Sequence, residues 1–197
     1  MEKRLKMIKD LKIVSFKSAT KWGKWLAKNH AASQGIWLKI YKKDSQTLSV
    51  NYPDALDEAL CYGWIDGQKA AFDDKAWLQK FGPRQLKSVW SKINVGHAER
   101  LIKAGRMKRA GLEKIESAKK DGRWVNAYHP QSTATLPVDF MREVNKNRKA
   151  KVFLETLNRV NVYAIIYRLQ TAKKPETRQK RINQFVEMLS KGEKLHP

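Results

Sequence analysis

The apolar positions of this chain change their period part-way along it. Near the end, Ile182, Phe185, Val186 and Leu189 recur at i, i+3, i+4 and i+7, the stripe of an amphipathic helix over 176–190. Weaker stripes of the same kind predict helices over 95–104, 112–120, 138–145, 149–157 and 163–172, with Gly105 and Asp121-Gly122 closing the first two. The first part reads differently. Leu11 to Phe16 predicts a short strand, and the β-branched and aromatic run from Ile36 to Tyr41 predicts a second, on which 47–51 can pair back as a hairpin. Between them, Ser18 or Thr20 caps a helix reaching Asn29, whose Trp22, Trp25 and Leu26 share one face. Pro53 fits the first turn of a helix through Cys61 that stops at Gly63; strands over 64–72 and 76–81 come next, joined by an Asp73-Asp74-Lys75 turn.

Strands mixed with helices, and then helices alone, predict an α+β fold: a small antiparallel sheet with helices in the N-terminal part and an all-helical C-terminal module. The aperiodic stretch 124–136 reads as a linker, so the expected domains are 1–125 and 137–197. No internal repeat competes with that layout.

Charge narrows the partners. The 197 residues hold 41 Lys and Arg against 19 Asp and Glu, a net +22, enough to attract anions and repel cations at neutral pH. Residues 1–83 carry 15 basic and 9 acidic side chains and residues 84–197 carry 26 and 10, so the excess lies mainly in the second half. An anionic partner is expected: an acidic protein, a nucleic acid or a small anion. Residues 1–12 mix lysine and apolar side chains too closely for the apolar segment of a secretory signal, and no run approaches the roughly 18 apolar residues of a membrane span. With a single cysteine, Cys61, placed in an apolar helix signal, the cytoplasm is the expected location.

Candidate chemistry concentrates between residues 53 and 94. Asp66 comes just after the helix end beside Trp64, where it holds a turn, forms an internal salt bridge or faces a pocket. Arg84, Ser88, Ser91 and Asn94, with Trp90 among them, can hold an anion if Ser91 opens a helix; equally, Ser91 is only a cap and Arg84 pairs with Asp66. The basic cluster Lys173, Lys174, Arg178, Lys180 and Arg181 is either a solvated helix face or a nucleic-acid surface. Seven tryptophans invite a base-stacking reading, but Trp22, Trp25, Trp37 and Trp64 sit on apolar periods and read as core. Asp54, Asp57 and Glu58 lie within the first turns of their helix, where carboxylates are favoured by the helix dipole, and the four histidines show no ligand spacing, so neither a metal nor a cofactor is expected. No phosphate loop, dinucleotide fingerprint, nucleophile elbow or Cys/His pair is present, and a non-catalytic role is favoured.

The run from Asp54 to Gly67 (DALDEALCYGWIDG), then Pro83-Arg84 and Ser88 to Asn94 (SVWSKIN), resembles the YdeI/OmpD-associated family. Thr171 to Arg178 (TAKKPETR) and Gly192 to Pro197 (GEKLHP) are similar to that family's bacteriocin-protection module. The resemblance implies a YjbR/CyaY-like α+β first part and a role in envelope stress or in tolerance of bacteriocins and antimicrobial peptides, with no catalytic residue attached. A chain of +22 repels a cationic peptide, so protection would act indirectly, through an anionic partner. Nonspecific nucleic-acid binding by the basic half, and a small-anion pocket or enzyme centred on Asp66, Arg84 and Ser91, are the alternatives.

Overall fold

The computed structural model describes residues 11–197, so most of the stretch considered for a secretory signal lies outside the described residues. The chain divides into two compact units. One runs to Ser88 and resumes over Val95–Trp124; the other comprises Val89–Asn94 and Val125–Pro197.

The first unit contains β1 (Ile13–Val14), α1 (Ala19–Asn29), β2 (Ile36–Tyr41), α2 (Tyr52–Cys61), β3 (Trp64–Ala71), β4 (Ala76–Pro83), the body of α3 (Lys92–Lys103) and α4 (Arg109–Lys120). Its four-stranded sheet has the order β1-β2-β4-β3. β4 runs antiparallel to both neighbours, Leu38 facing Gln79 on one side and Ala70 facing Leu78 on the other. β1 joins β2 in parallel, because α1 intervenes and returns the chain to the same end of the sheet. The sheet is therefore mixed, with its antiparallel part made of β2, β4 and β3, within the expected α+β class.

One expectation fails here: residues 47–51 form no strand. Lys43–Ser45 turns as a short 3-10 helix and Gln46 takes a left-handed φ of 54°, which carries the chain off the sheet. Both edges of β2 are already filled, by β1 and β4. The segment is fastened instead by single bonds, Val50 N–H to the Phe16 carbonyl at 2.9 Å and Tyr41 N–H to Ser49 Oγ at 3.1 Å.

Local chemistry explains the helix ends. Ser18, not Thr20, caps α1, its Oγ accepting from Lys21 N–H. Asn51 caps α2, Pro53 lies in its first turn, and Gly63 leaves it at φ +71°. The core gathers Trp22 and Leu26 from α1, Ile40 from β2, Leu56 and Leu60 from α2, and Trp64 from β3. Trp22 stacks on Trp25 with centroids 5.4 Å apart, and Trp64 meets both edge-on at 6.1 and 5.8 Å. Each such ring removes about 150–250 Å² from water, roughly 4–6 kcal/mol of gross transfer free energy before chain entropy opposes it. Two of these indole N–H groups are satisfied inside: Trp22 donates to the Ala55 carbonyl and Trp64 to that of His30, both at 3.0 Å.

The second unit contains α5 (Val138–Asn145), α6 (Arg148–Glu155), α7 (Arg159–Gln170) and α8 (Pro175–Ser190) around Phe140, Val144, Ile165, Leu169, Ile182 and Leu189. α7 starts four residues before its expected 163, since Asn158 caps it through a side-chain bond to Asn161 N–H. Asn161 is buried and grips the carboxy-terminal tail from both sides: its Oδ1 accepts from His196 N–H at 2.8 Å and its Nδ2 donates to the His196 carbonyl. Residues 89–94 enter this unit through Tyr128, whose N–H reaches the Trp90 carbonyl and whose carbonyl takes Lys92 N–H, both at 2.9 Å.

Candidate functional site

Of the residues singled out between 53 and 94, Trp64, Asp66, Arg84 and Ser88 belong to the first unit and Trp90, Ser91 and Asn94 to the second. Trp64 is core. Asp66 Oδ2 accepts the Tyr52 hydroxyl at 2.9 Å, at the edge of a β3 irregularity between Asp66 and Lys69. That places a carboxylate–phenol pair across α2 and β3. Burial, then the Asp66 charge, drives the Tyr52 hydroxyl pKa well above its ordinary value. Arg84 is buried and its N–H donates to the Gly63 carbonyl at 3.0 Å, while the Ser88 carbonyl accepts from Arg123. In the second unit Trp90 is 2% exposed, and Ser91 Oγ accepts from Asn94 N–H at 3.1 Å, so Ser91 caps α3.

A larger assembly of charged side chains lies elsewhere among the described residues of the first unit. Asp57 of α2 has a side chain only 11% exposed; Arg100 of α3 donates to both its oxygens at 2.7 and 2.8 Å, and His97 Nδ1 lies 3.0 Å from Oδ1. Arg106 closes the group, 3.8 Å from Asp57 and 2.7 Å from Glu58. Burial opposes the charge on Asp57, but hydrogen bonds from Arg100 and His97 outweigh it and hold the carboxyl below its usual range. The acidic residues of this helix thus do more than favour a helix end: Asp57 and Glu58 tie α2 to α3 and to Arg106 just beyond it. His97 and Arg100 lie a helical turn apart, 40 and 43 residues beyond Asp57. Charge on α2 and a His-x-x-Arg spacing on α3 were the only signals of the meeting in the sequence.

Nearby nucleophilic chemistry is muted. Cys61 is buried, and desolvation, then the neighbouring Glu58 charge, pushes its thiol up to about 11, so almost none is thiolate at neutral pH. Among the described residues no group of three His, Cys, Asp or Glu side chains is arranged to hold a metal ion. Among them, too, no helix is long and apolar enough to cross a membrane.

The carboxy-terminal basic cluster splits by role. Lys173, Lys174 and Lys180 are exposed. Arg178 is engaged with Asp139 and the Leu169 carbonyl, and Arg181 donates to the Arg168 carbonyl. The second unit also holds a cleft of about 280 Å³ lined by Gln131, Leu157, Arg159, Val162 and Tyr163 among others; Arg159 reaches the Gln131 and Ser132 carbonyls there at 2.6 and 2.9 Å.

A two-unit α+β chain with a tryptophan-rich sheet domain and a four-helix module is the class that this geometry defines. Residues 14–114 match the family described as Domain of unknown function (DUF8412), and because that match spans more than half the sequence, the chain belongs to this family. Residues 133–192 match the family described as Bacteriocin-protection, YdeI or OmpD-Associated. No curated protein and no solved structure matches the chain.

Proposed function

We propose that the chain is a non-catalytic, cytoplasmic binding protein that supports tolerance of bacteriocins or cationic antimicrobial peptides by holding an anionic partner. The observation that carries this reading is the uncompensated charge of +22 on a chain whose helical module matches a bacteriocin-protection family. A surface of that sign repels cationic peptides, so the partner is the anionic side of the process. A YjbR/CyaY-like ancestry for the first unit belongs to the same proposal.

Two measurements test it. Deleting the gene should raise sensitivity to bacteriocins or cationic peptides, and complementation with charge-reversed surface variants should fail; unchanged sensitivity across a panel of both would overturn the tolerance role. The purified protein should bind polyanions with an affinity that falls steeply as salt rises from about 50 to 200 mM. Binding to no polyanion at the low end would remove the anionic partner.

A further inference from the structure

The longest acid-free interval of the chain lies in its less basic half. Between residues 11 and 43 there are eight lysines and no Asp or Glu. The structure turns part of this interval into a line. On α1, Lys21, Lys24 and Lys28 are spaced by three and four residues, so at about 100° per residue they fall within roughly 60° of one another. Trp22, Gly23 and Leu26, the buried positions, lie on the other side. All three lysines are exposed, as is Lys17 just before the cap, and none of the four makes an ion pair among the described residues. Glu58, the acid that approaches α1, does so at Gly23 on the buried side and is itself bonded to Arg106.

An ordinary solvated helix mixes its charges, because like charges three and four residues apart repel and a cation in the first turn opposes the helix dipole. α1 carries both penalties: Lys21 sits in its first turn, and no acid occurs anywhere along it. Some cations elsewhere in the fold are paired locally, as Arg109 with Glu113, Lys146 with Glu143 and Lys191 with Glu187. Those three cations each have an acid three or four residues away, whereas Lys21, Lys24 and Lys28 have none within their own helix.

We infer that the Lys21–Lys24–Lys28 face of α1, extended by Lys17, is a contact surface for the phosphate backbone of double-stranded nucleic acid. This rests on the anionic-partner reading and names the partner and the face. Lys21 to Lys28 spans about 10 Å along the axis, a length of duplex axis over which one strand carries about three phosphates at about 3.4 Å of rise each. A row of point charges suits a row of phosphates and carries no sequence information, so the binding is sequence-independent. Single strands are disfavoured because their binding uses exposed aromatic platforms, whereas Trp22 is fully buried and Trp25 is stacked on it. A lipid surface is disfavoured for a related reason: interfacial helices insert their apolar face, and here that face is core.

The test is fluorescence anisotropy with a labelled 20-base-pair duplex from about 50 to 200 mM salt. It compares the wild type, the triple variant Lys21→Glu/Lys24→Glu/Lys28→Glu, and a charge-matched control on α6, Arg148→Glu/Lys149→Glu/Lys151→Glu. Circular dichroism verifies folding, with Lys→Gln versions replacing any variant that fails. Duplex binding that drops at least about ten-fold in the α1 variant, with the log–log salt slope falling by roughly 2–3 and the α6 control within about three-fold of wild type, is the expected result. Equal losses in both variants would overturn the α1 face and leave the anionic-partner reading standing. If the wild type ignores the duplex at 50 mM but binds phosphatidylserine vesicles or poly-glutamate, the nucleic-acid inference fails alone; if it binds none of the three, both fail.

Discussion

Arg178 closes on Asp139 with two parallel hydrogen bonds, Nε to Oδ2 at 2.7 Å and Nη2 to Oδ1 at 2.9 Å, and gives its remaining amino group to the Leu169 carbonyl at 2.6 Å. One side chain thereby fastens the start of α5 and the end of α7 to α8. The Arg178→Ala variant should lose about 2–3 kcal/mol in the second unit, seen as an earlier urea midpoint in far-UV circular dichroism. Arg178→Lys should restore less than half of that, since an ammonium cannot reproduce the planar fork. Charge reversal at Arg178 is accordingly a stability experiment, and Lys173, Lys174 and Lys180 are the positions at which to probe binding by that cluster.

The acid limb of stability should depend on Asp57 and Asp139. Both carboxyls are held below their usual range, Asp57 by Arg100 and His97 against the opposing effect of burial, and Asp139 chiefly by Arg178. A depressed folded-state value means that the stabilisation is fully present above the unfolded value of about 3.9 and is lost as pH falls through the folded one. Thermal melts from pH 7 to pH 2 should show a fall beginning below about pH 4. Asp57→Asn should lower the plateau and flatten that limb; an unchanged limb would mean that Asp57 is equally stabilised in the unfolded chain.

Two glycines permit the approach of α4 to the end of α2. A Cβ on Gly63, at φ +71°, would lie 2.7 Å from the Ala110 carbonyl oxygen, and one on Gly111 would lie 2.5 Å from the Cys61 carbonyl oxygen and 2.8 Å from that of Leu60. Backbone atoms cannot yield as a side chain does. Gly111→Ala should destabilise by about 1–3 kcal/mol or more, in the range of overpacked cores, and Gly63→Ala by at least about 1 kcal/mol from its backbone conformation alone. Guanidinium titrations of the two variants measure both.

Cys61 should resist thiol reagents in the native state. With its thiol pushed up to about 11 and its side chain buried, labelling at pH 8 should proceed only through opening of the fold, and denaturant should accelerate it by orders of magnitude. Rapid native labelling would show that the α2–α4 contact opens freely.

How much of this could be read beforehand depends on the range of the interaction. Periodicity located the helices because each apolar stripe is a local pattern, and the β3–β4 hairpin was legible because its turn lies between its strands. The partner of β2 was not: Thr47 to Asn51 are near in sequence and extended in character, yet β4, some 40 residues on, offered a longer apolar edge. Arg178 and Lys174 look alike in a string of basic residues, and only the position of Asp139, 39 residues earlier, separates a structural guanidinium from a free ammonium. The lysines of α1 never form a run in the sequence, and only a helical projection of residues 17–28 collects them. Asp57 was visible as a helix-end acid, while its bond to His97 belongs to the tertiary fold alone.

The packing of Trp22, Trp25 and Trp64 within about 6 Å of one another also gives the molecule a built-in optical division. Six of the seven indoles lie in the first unit, Trp90 being the exception, and the helices from residue 138 onward contain tyrosine but no tryptophan. Coupled indoles at this separation should dominate the near-ultraviolet dichroism of the first unit, whereas the far-ultraviolet dichroism of the peptide groups comes from the helices of both. In a single unlabelled sample the near-ultraviolet band should therefore follow chiefly the first unit while the far-ultraviolet band follows both.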